Sequence, residues 1–239
     1  ESVVTSDISR KLKDDFSFVH LESIERRFRR FFKSFSSISY SLFEAFISYI
    51  ISNFSIKHSD KIVNISFDHM FCKDKFTILL FSLRNNGIPL WFRCFKGKHN
   101  PDAYSMDLIK DGISFCENLF NPKQYHIIFL VDRWFPHIEL LSHIQSLGGF
   151  YCIHNKSYMT FSTYNSNGVL KTFHFRDIKP CIQHSKLFTD ALFTRKLFKT
   201  NIVISNSSTD DPWYLVTNDD PRRAIKNYSH RFGSIECIF

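Results

Sequence analysis

KIVNISFDHMFCKDKFTILLFSLRNNGIPLWFRCF, residues 61–95, decides the architecture. Residues 61–67 form a β-rich run that closes on Asp68. Residues 76–83 and 88–95 are two further apolar runs, separated by Arg84-Asn85-Asn86-Gly87. Asn-Gly between two such runs is a hairpin signal, because both residues tolerate the positive φ of a tight primed turn. Three antiparallel strands in a row are expected.

Downstream, Pro101 and Asp102 punctuate the chain before a helix at about 103–119, with Met106, Ile109, Ile113 and Phe115 or Cys116 facing inward. The run HIIFLV, 126–131, is a strand that delivers Asp132 at its C-terminal end. Pro136 opens a helix that reaches Leu147 and is stopped by Gly148-Gly149. A short strand follows at 150–154. Residues 155–205 alternate β-like runs with Asn, Ser and Gly and read as a β-rich insertion. WYLVT, 213–217, is a last strand; Asn218 or Asp219 caps the final helix, with Pro221 in its first turn. This order gives an α/β fold with a mixed sheet and a β-rich insertion before the last strand; it matches the ribonuclease-H-like plan, a narrower name that leans on the motifs below.

Upstream, residues 1–58 read as helical. Ser23 caps a helix in which Ile24, Phe28, Phe31 and Phe32 share one face, while Arg26, Arg27, Arg29, Arg30 and Lys33 fill the rest. That helix is read equally as a DNA-groove element and as a solvated amphipathic helix. A second helix is expected at about 40–54. The division is thus a helical region over 1–58 and an α/β domain over 59–239; the motifs below make the first an expected DNA-binding region and the second an expected catalytic domain.

With 44% hydrophobic and 23% charged residues, the 239-residue chain has an ordinary globular composition. The net charge of +8 favours a polyanionic partner without naming one. Six singly spaced cysteines offer no C-x-x-C pair, so a zinc ribbon is not expected, and they read as reduced core thiols. The 28 phenylalanines are read as a compositional bias with no function attached. The apolar stretch 39–54 is short and carries Glu44, so it is expected in a core rather than a membrane. Residue 1 is Glu and the chain stops at Phe239 within a helical pattern, so a fragment is expected.

Asp68 and Asp132 each follow a strand. In a mixed α/β sheet, sites form at strand ends, and the first and fourth strands of this plan are neighbours. Hard cations such as Mg²⁺ take carboxylate oxygens, and two ions roughly 3.5–4 Å apart stabilise the attacking and leaving oxygens of phosphoryl transfer. Either aspartate alone reads as a turn residue or helix cap; the pair in this topology reads as functional. His69 and His137 lie beside these acids but are set aside as ligands, since Mg²⁺ prefers oxygen. Lys96, Lys98 and His99 are read as a solvated loop, with phosphate contact as the other reading.

At these residues the sequence resembles a known family. Ser66-Phe67-Asp68, Val131-Asp132-Arg133-Trp134-Phe135, the 213–218 run WYLVTN, Tyr228-Ser229-His230-Arg231 and Ile235-Glu236-Cys237-Ile238-Phe239 resemble, in order, the successive blocks of DDE transposases. The nearest group is the insertion-sequence-four type, with its Tyr-Arg-Glu-Lys signature. The resemblance implies that Asp68, Asp132 and Glu236 are the catalytic, metal-binding triad, holding two ions of Mg²⁺, with Mn²⁺ as a substitute. It implies that Tyr228, Arg231, Trp213 and Arg133 meet DNA, joined by Arg26, Arg27 and Arg30 if the N-terminal helix enters a groove. An Arg fork suits phosphate and an aromatic face suits a base. The activity implied is cleavage of transposon-end DNA followed by strand transfer, in a cytoplasmic protein of a bacterial or archaeal cell that works as a homodimer when full length.

The sequence departs from the family pattern at one spacing. Four residues, Phe232-Gly233-Ser234-Ile235, stand between Arg231 and Glu236 where the family has three. One extra residue turns Glu236 by roughly 100° on an ideal helix. A π-bulge at Gly233 would absorb the turn; otherwise Asp219 or Asp220 is the rival third acid. The signature Lys lies beyond Phe239. Two other functional readings follow: a catalytically inactive, truncated DNA-binding relic, and a nuclease of the same fold that does not transfer strands.

Overall fold

The computed structural model describes residues 39–53, 61–72, 74–83, 88–133, 135, 137–179, 185–205 and 212–229. By contact the chain divides into two compact units, Glu1–Ile50 and Ile51–Phe239. The helix expected near residues 23–33 lies outside the described residues. The next one is observed as α1, Ser39–Asn53. No helix among the described residues is long and apolar enough to cross a membrane.

The larger unit is built on one ten-stranded sheet. Its first three strands, β1 (Ile62–Cys72), β2 (Phe76–Leu83) and β3 (Ile88–Lys96), form the expected meander, with both pairings antiparallel. Pro89 is tolerated because β3 is the edge strand and the ladder shifts register beside it, between Phe81 and Ser82. A 3₁₀ turn, Pro101–Tyr104, leads into α2 (Met106–Phe120), so the helix expected from 103 begins three residues later. Then come β4 (His126–Val131), α3 (Ile138–Ser146) and β5 (Phe150–His154). β4 runs parallel to β1 on one side and to β5 on the other. The order β3-β2-β1-β4-β5, two antiparallel pairs followed by two parallel ones, is the ribonuclease-H-like sheet.

β4 holds the centre because every residue from Ile127 to Val131 is buried, the unbroken apolar run that a strand covered on both faces requires. The insertion is part of the same sheet. Strands β6 (Thr160–Tyr164), β7 (Leu170–His174), β8 (Lys186–Phe193) and β9 (Phe198–Ser205) continue it through β10 (Trp213–Thr217), which is antiparallel to both β5 and β9. Many of the phenylalanines find their use here: Phe175 packs its ring against Phe161 and Tyr214, with centroids 5.1 and 5.6 Å away. The composition therefore reflects a second aromatic core as well as any bias.

α4 (Pro221–Ser229) closes the described chain. Its cap is Asp220, rather than Asn218 or Asp219, since the Arg222 amide donates to Asp220 Oδ1 at 3.0 Å. The described cysteines divide: Cys116 and Cys152 are buried thiols as expected, Cys72 and Cys94 are exposed, and Cys181 and Cys237 lie outside the described residues.

Candidate active site

The parallel pair β1–β4 ends at Phe67 opposite Val131. One step further along both strands stand Asp68 and Asp132, so the register brings the two aspartates side by side. Both line a single pocket of about 510 Å³. Parallel neighbours at one register position face the same side, which is how carboxylates remote in sequence meet.

β1 does not stop at Asp68. It continues to Cys72, paired with β2 alone, and burial gives way to exposure beyond Phe67. Asp68 therefore sits where the double-sided strand loses its β4 neighbour, midway along β1. Each carboxylate is oriented by the residue after it. The His69 amide donates to Asp68 Oδ1 at 2.8 Å, and the Arg133 amide to Asp132 Oδ1 at 2.7 Å.

The wall behind the acids is aromatic. Phe67 stacks on Phe81 at 4.6 Å and meets Phe135 edge-on at 5.0 Å. His69 lies between Tyr104, 4.0 Å away, and Phe135, 5.1 Å away, and its Nε2 pairs with the Ala103 carbonyl oxygen at 2.8 Å. Burial holds the His69 imidazole below its ordinary pKa, against the opposing pull of that carbonyl and of Asp68. Burial, then the Asp68 charge, raises the Tyr104 phenol. His69 and His137 thus line the pocket although sequence reasoning set them aside as ligands. So do Phe71 and Tyr104, which sequence reasoning did not assign to the acids, and His99, for which phosphate contact was the second of two readings; they come from three separate segments, and no local spacing signals their convergence.

The remaining residues singled out in the sequence fall in different places. Arg133 is exposed beside Asp132, and Trp213 is half-buried at the start of β10. Tyr228, expected at DNA, is 1% exposed and packs its ring against Trp213 and His154, at 5.3 and 5.6 Å. In this structure it is a core residue. Arg26, Arg27, Arg30, Arg231 and Glu236 lie outside the described residues.

Asp219 is removed as a rival acid. It is buried, with Oδ1 3.1 Å from His126 Nε2 and Oδ2 accepting from Asn227 Nδ2 at 3.4 Å. His126 opens β4 and Asp132 follows its end, a strand length of about 20 Å. Asp219 therefore lies at the opposite end of the strands from Asp132, and Asp220, at the head of α4, leaves from that same end. α4 then brings the chain back: Tyr228 reaches His154, one register step past the pair Val131–Ile153 and so level with Asp132.

Two aspartates suit a hard divalent cation by their donor chemistry. Among the described residues they are not joined by a third His, Cys, Asp or Glu in a group able to hold a metal.

No family model matches the chain, and no curated protein does. Solved structures similar to it include a piggyBac transposase synaptic complex with hairpin DNA, at 12% identity and a TM-score of 0.45, over 73% of this chain and 39% of that one. The Ciona intestinalis endonuclease V bound to inosine-containing DNA is similar at 13% identity and a TM-score of 0.34, over 78% and 84% of the two chains. Marinitoga piezophila Argonaute, with guide RNA and target DNA, is similar at 12% identity and 0.29, over 69% and 23%. The chain spans about two fifths of the piggyBac transposase.

Proposed function

We propose that this chain is a DNA transposase of the DDE type, which cleaves double-stranded DNA at transposon ends and then joins the freed end to target DNA. The observation that carries the reading is the placement of Asp68 and Asp132, one step past the last paired residues of β1 and β4 and in one pocket. Asp68 and Asp132 would hold the metal, with Glu236 as third ligand. The chemistry that bound divalent cations, Mg²⁺ or Mn²⁺, supply at such carboxylates is stabilisation of charge on the attacking and leaving oxygens.

The chain's own residues set the geometry. The His69 and Arg133 amides fix one oxygen of each carboxylate before substrate arrives, so little reorganisation is needed on binding. Phe67 and Phe135 screen the acids from water on the core side. Exposed Arg133 stands where it can meet a phosphate. The reaction is hydrolysis of one strand, which leaves a 3′-hydroxyl, followed by attack of that hydroxyl on the other strand or on target DNA.

The test is incubation of the chain with plasmid carrying candidate transposon-end repeats. Nicking at the repeat ends in Mg²⁺ or Mn²⁺, lost in Asp68→Asn and in Asp132→Asn, supports the enzyme. End binding with no cleavage in either metal identifies a relic instead. Nicking without joined product identifies a nuclease without strand transfer.

A further inference from the structure

Past Phe67, β1 is held by β2 alone, and the strand pairing that aligns the two acids stops one residue short of both. The His69 side chain supplies a hold that the sheet no longer gives. Its ring stacks on that of Phe135, 13° from parallel with centroids 5.1 Å apart, and also on Tyr104 at 4.0 Å. Its Nε2 lies 2.8 Å from the Ala103 carbonyl oxygen, which can only accept, so Nε2 carries the proton and donates. One side chain thus ties the outer part of β1 to the 3₁₀ turn before α2 and to the segment after β4.

Both members of the His69–Phe135 stack are anchored to an acid. The His69 amide donates to Asp68 Oδ1 at 2.8 Å, so the residue whose ring stacks also orients the first carboxylate. The Phe135 amide donates to the Asp132 carbonyl oxygen at 3.1 Å, closing a tight turn that begins at the second acid. Phe135 is 5% exposed and meets Phe67 edge-on at 5.0 Å, so its ring cannot swing aside without opening a close-packed core. The path from one acid to the other therefore runs Asp68, His69, Phe135, Asp132. Every link in it is a short hydrogen bond or a ring face.

We propose that the His69–Phe135 stack sets the separation of Asp68 and Asp132, and that His69 is a positioning residue for divalent cations held between them. The inference rests on the phosphoryl-transfer reading of that pocket. Mg²⁺ demands near-ideal octahedral geometry, so the spacing of its carboxylates matters as much as their presence. A misplacement of about 1 Å costs about a hundredfold in rate. A ring stack suits the task, because the thickness of two stacked rings is fixed whereas an aliphatic contact slides between rotamers.

The test compares His69→Phe, which keeps a ring, with His69→Leu, which keeps apolar bulk without a flat face; both lack the bond to Ala103. Plasmid nicking is measured per folded molecule in the full chain. His69→Leu is expected to lose about a hundredfold in Mg²⁺ but only about tenfold in Mn²⁺, whose coordination tolerates more distortion, while His69→Phe stays within about threefold of wild type in both. A purely structural role would lower the melting temperature and leave the ratio of the two metals unchanged. Hydrogen exchange in the metal-free chain is the second readout. Phe135→Leu is expected to speed exchange of the His69 amide about tenfold, since the stack links two segments far apart in sequence. If wild type nicks in neither metal, the enzyme reading falls, and the exchange result alone decides whether the stack couples the two acids. His69→Leu nicking as wild type does, an equal loss in both metals, or unchanged His69 exchange in Phe135→Leu would each overturn the positioning role.

Discussion

Asp68 and Asp132 continue the register of Phe67 and Val131, so the parallel pairing of β1 with β4 delivers two acids to one place. Their position is fixed by backbone hydrogen bonding and does not depend on side-chain choice further along either strand. Asp68→Asn or Asp132→Asn should therefore leave the fold intact. Each should reduce metal-dependent nicking about a hundredfold or more, since several kcal/mol of transition-state charge stabilisation depend on the bound ions. Thermal unfolding at low salt should give melting temperatures equal to wild type or higher, because one of two neighbouring like charges has been removed.

Asp219→Ala tests the separation of the acids between the two ends of the strands. The variant loses the partner of His126 and of Asn227 in a buried setting, which should cost about 1–3 kcal/mol in a denaturant titration. Nicking per folded molecule should stay at the wild-type rate. Loss of nicking with wild-type stability would return Asp219 to the site.

Glu117 provides a pH signature of the scaffold. It is 3% exposed on α2, and neither carboxylate oxygen has a hydrogen-bond partner among the described residues. Burial lifts its pKa from the ordinary 4.5 to about 7. Between those values the folded chain retains a proton that the unfolded chain has lost. The contribution of this group is therefore complete below about pH 4.5, declines as pH rises through 7, and then levels off. Glu117→Gln should gain stability relative to wild type by on the order of 2 kcal/mol between pH 5 and pH 8, as read by urea unfolding at the two values. An equal difference at both pH values would show that the carboxyl is solvated.

Gly112→Ala reverses the usual helix rule. In the interior of α2 alanine would ordinarily be the better residue, but here its Cβ would clash with Phe81 Cε2. Phe81 is fully buried and stacked on Phe67, so the ring has nowhere to go. The expected loss is about 1–3 kcal/mol of unfolding free energy, with weaker nicking, since Phe67 directly precedes Asp68.

Much of this was legible in the sequence for a physical reason. The unbroken apolar run of β4 and the Asn-Gly between two apolar runs are local signals of a buried strand and of a turn; the turn itself, 84–87, lies outside the described residues, but β2 and β3 on either side of it pair antiparallel as expected. The meeting of Asp68 and Asp132 followed in turn from the strand order. The continuation of β1 through His69-Met70-Phe71-Cys72 was not legible, because those residues are held by β2 alone and lack the apolar alternation of a covered strand. Phe71 and Tyr104 were hidden for a related reason: they read locally as the stretch after a strand and as a helix start. The burial of Tyr228 was not legible, because a motif position carries no information about burial. Its ring fills the space between Trp213 and His154.

The most direct measurement of the central claim is electron paramagnetic resonance of Mn²⁺ added to the full chain with cleavage-resistant end DNA. If Asp68 and Asp132 are joint ligands, wild type shows protein-bound Mn²⁺, and Asp68→Asn and Asp132→Asn each lose it while remaining folded. Either variant binding Mn²⁺ as wild type does would contradict the account.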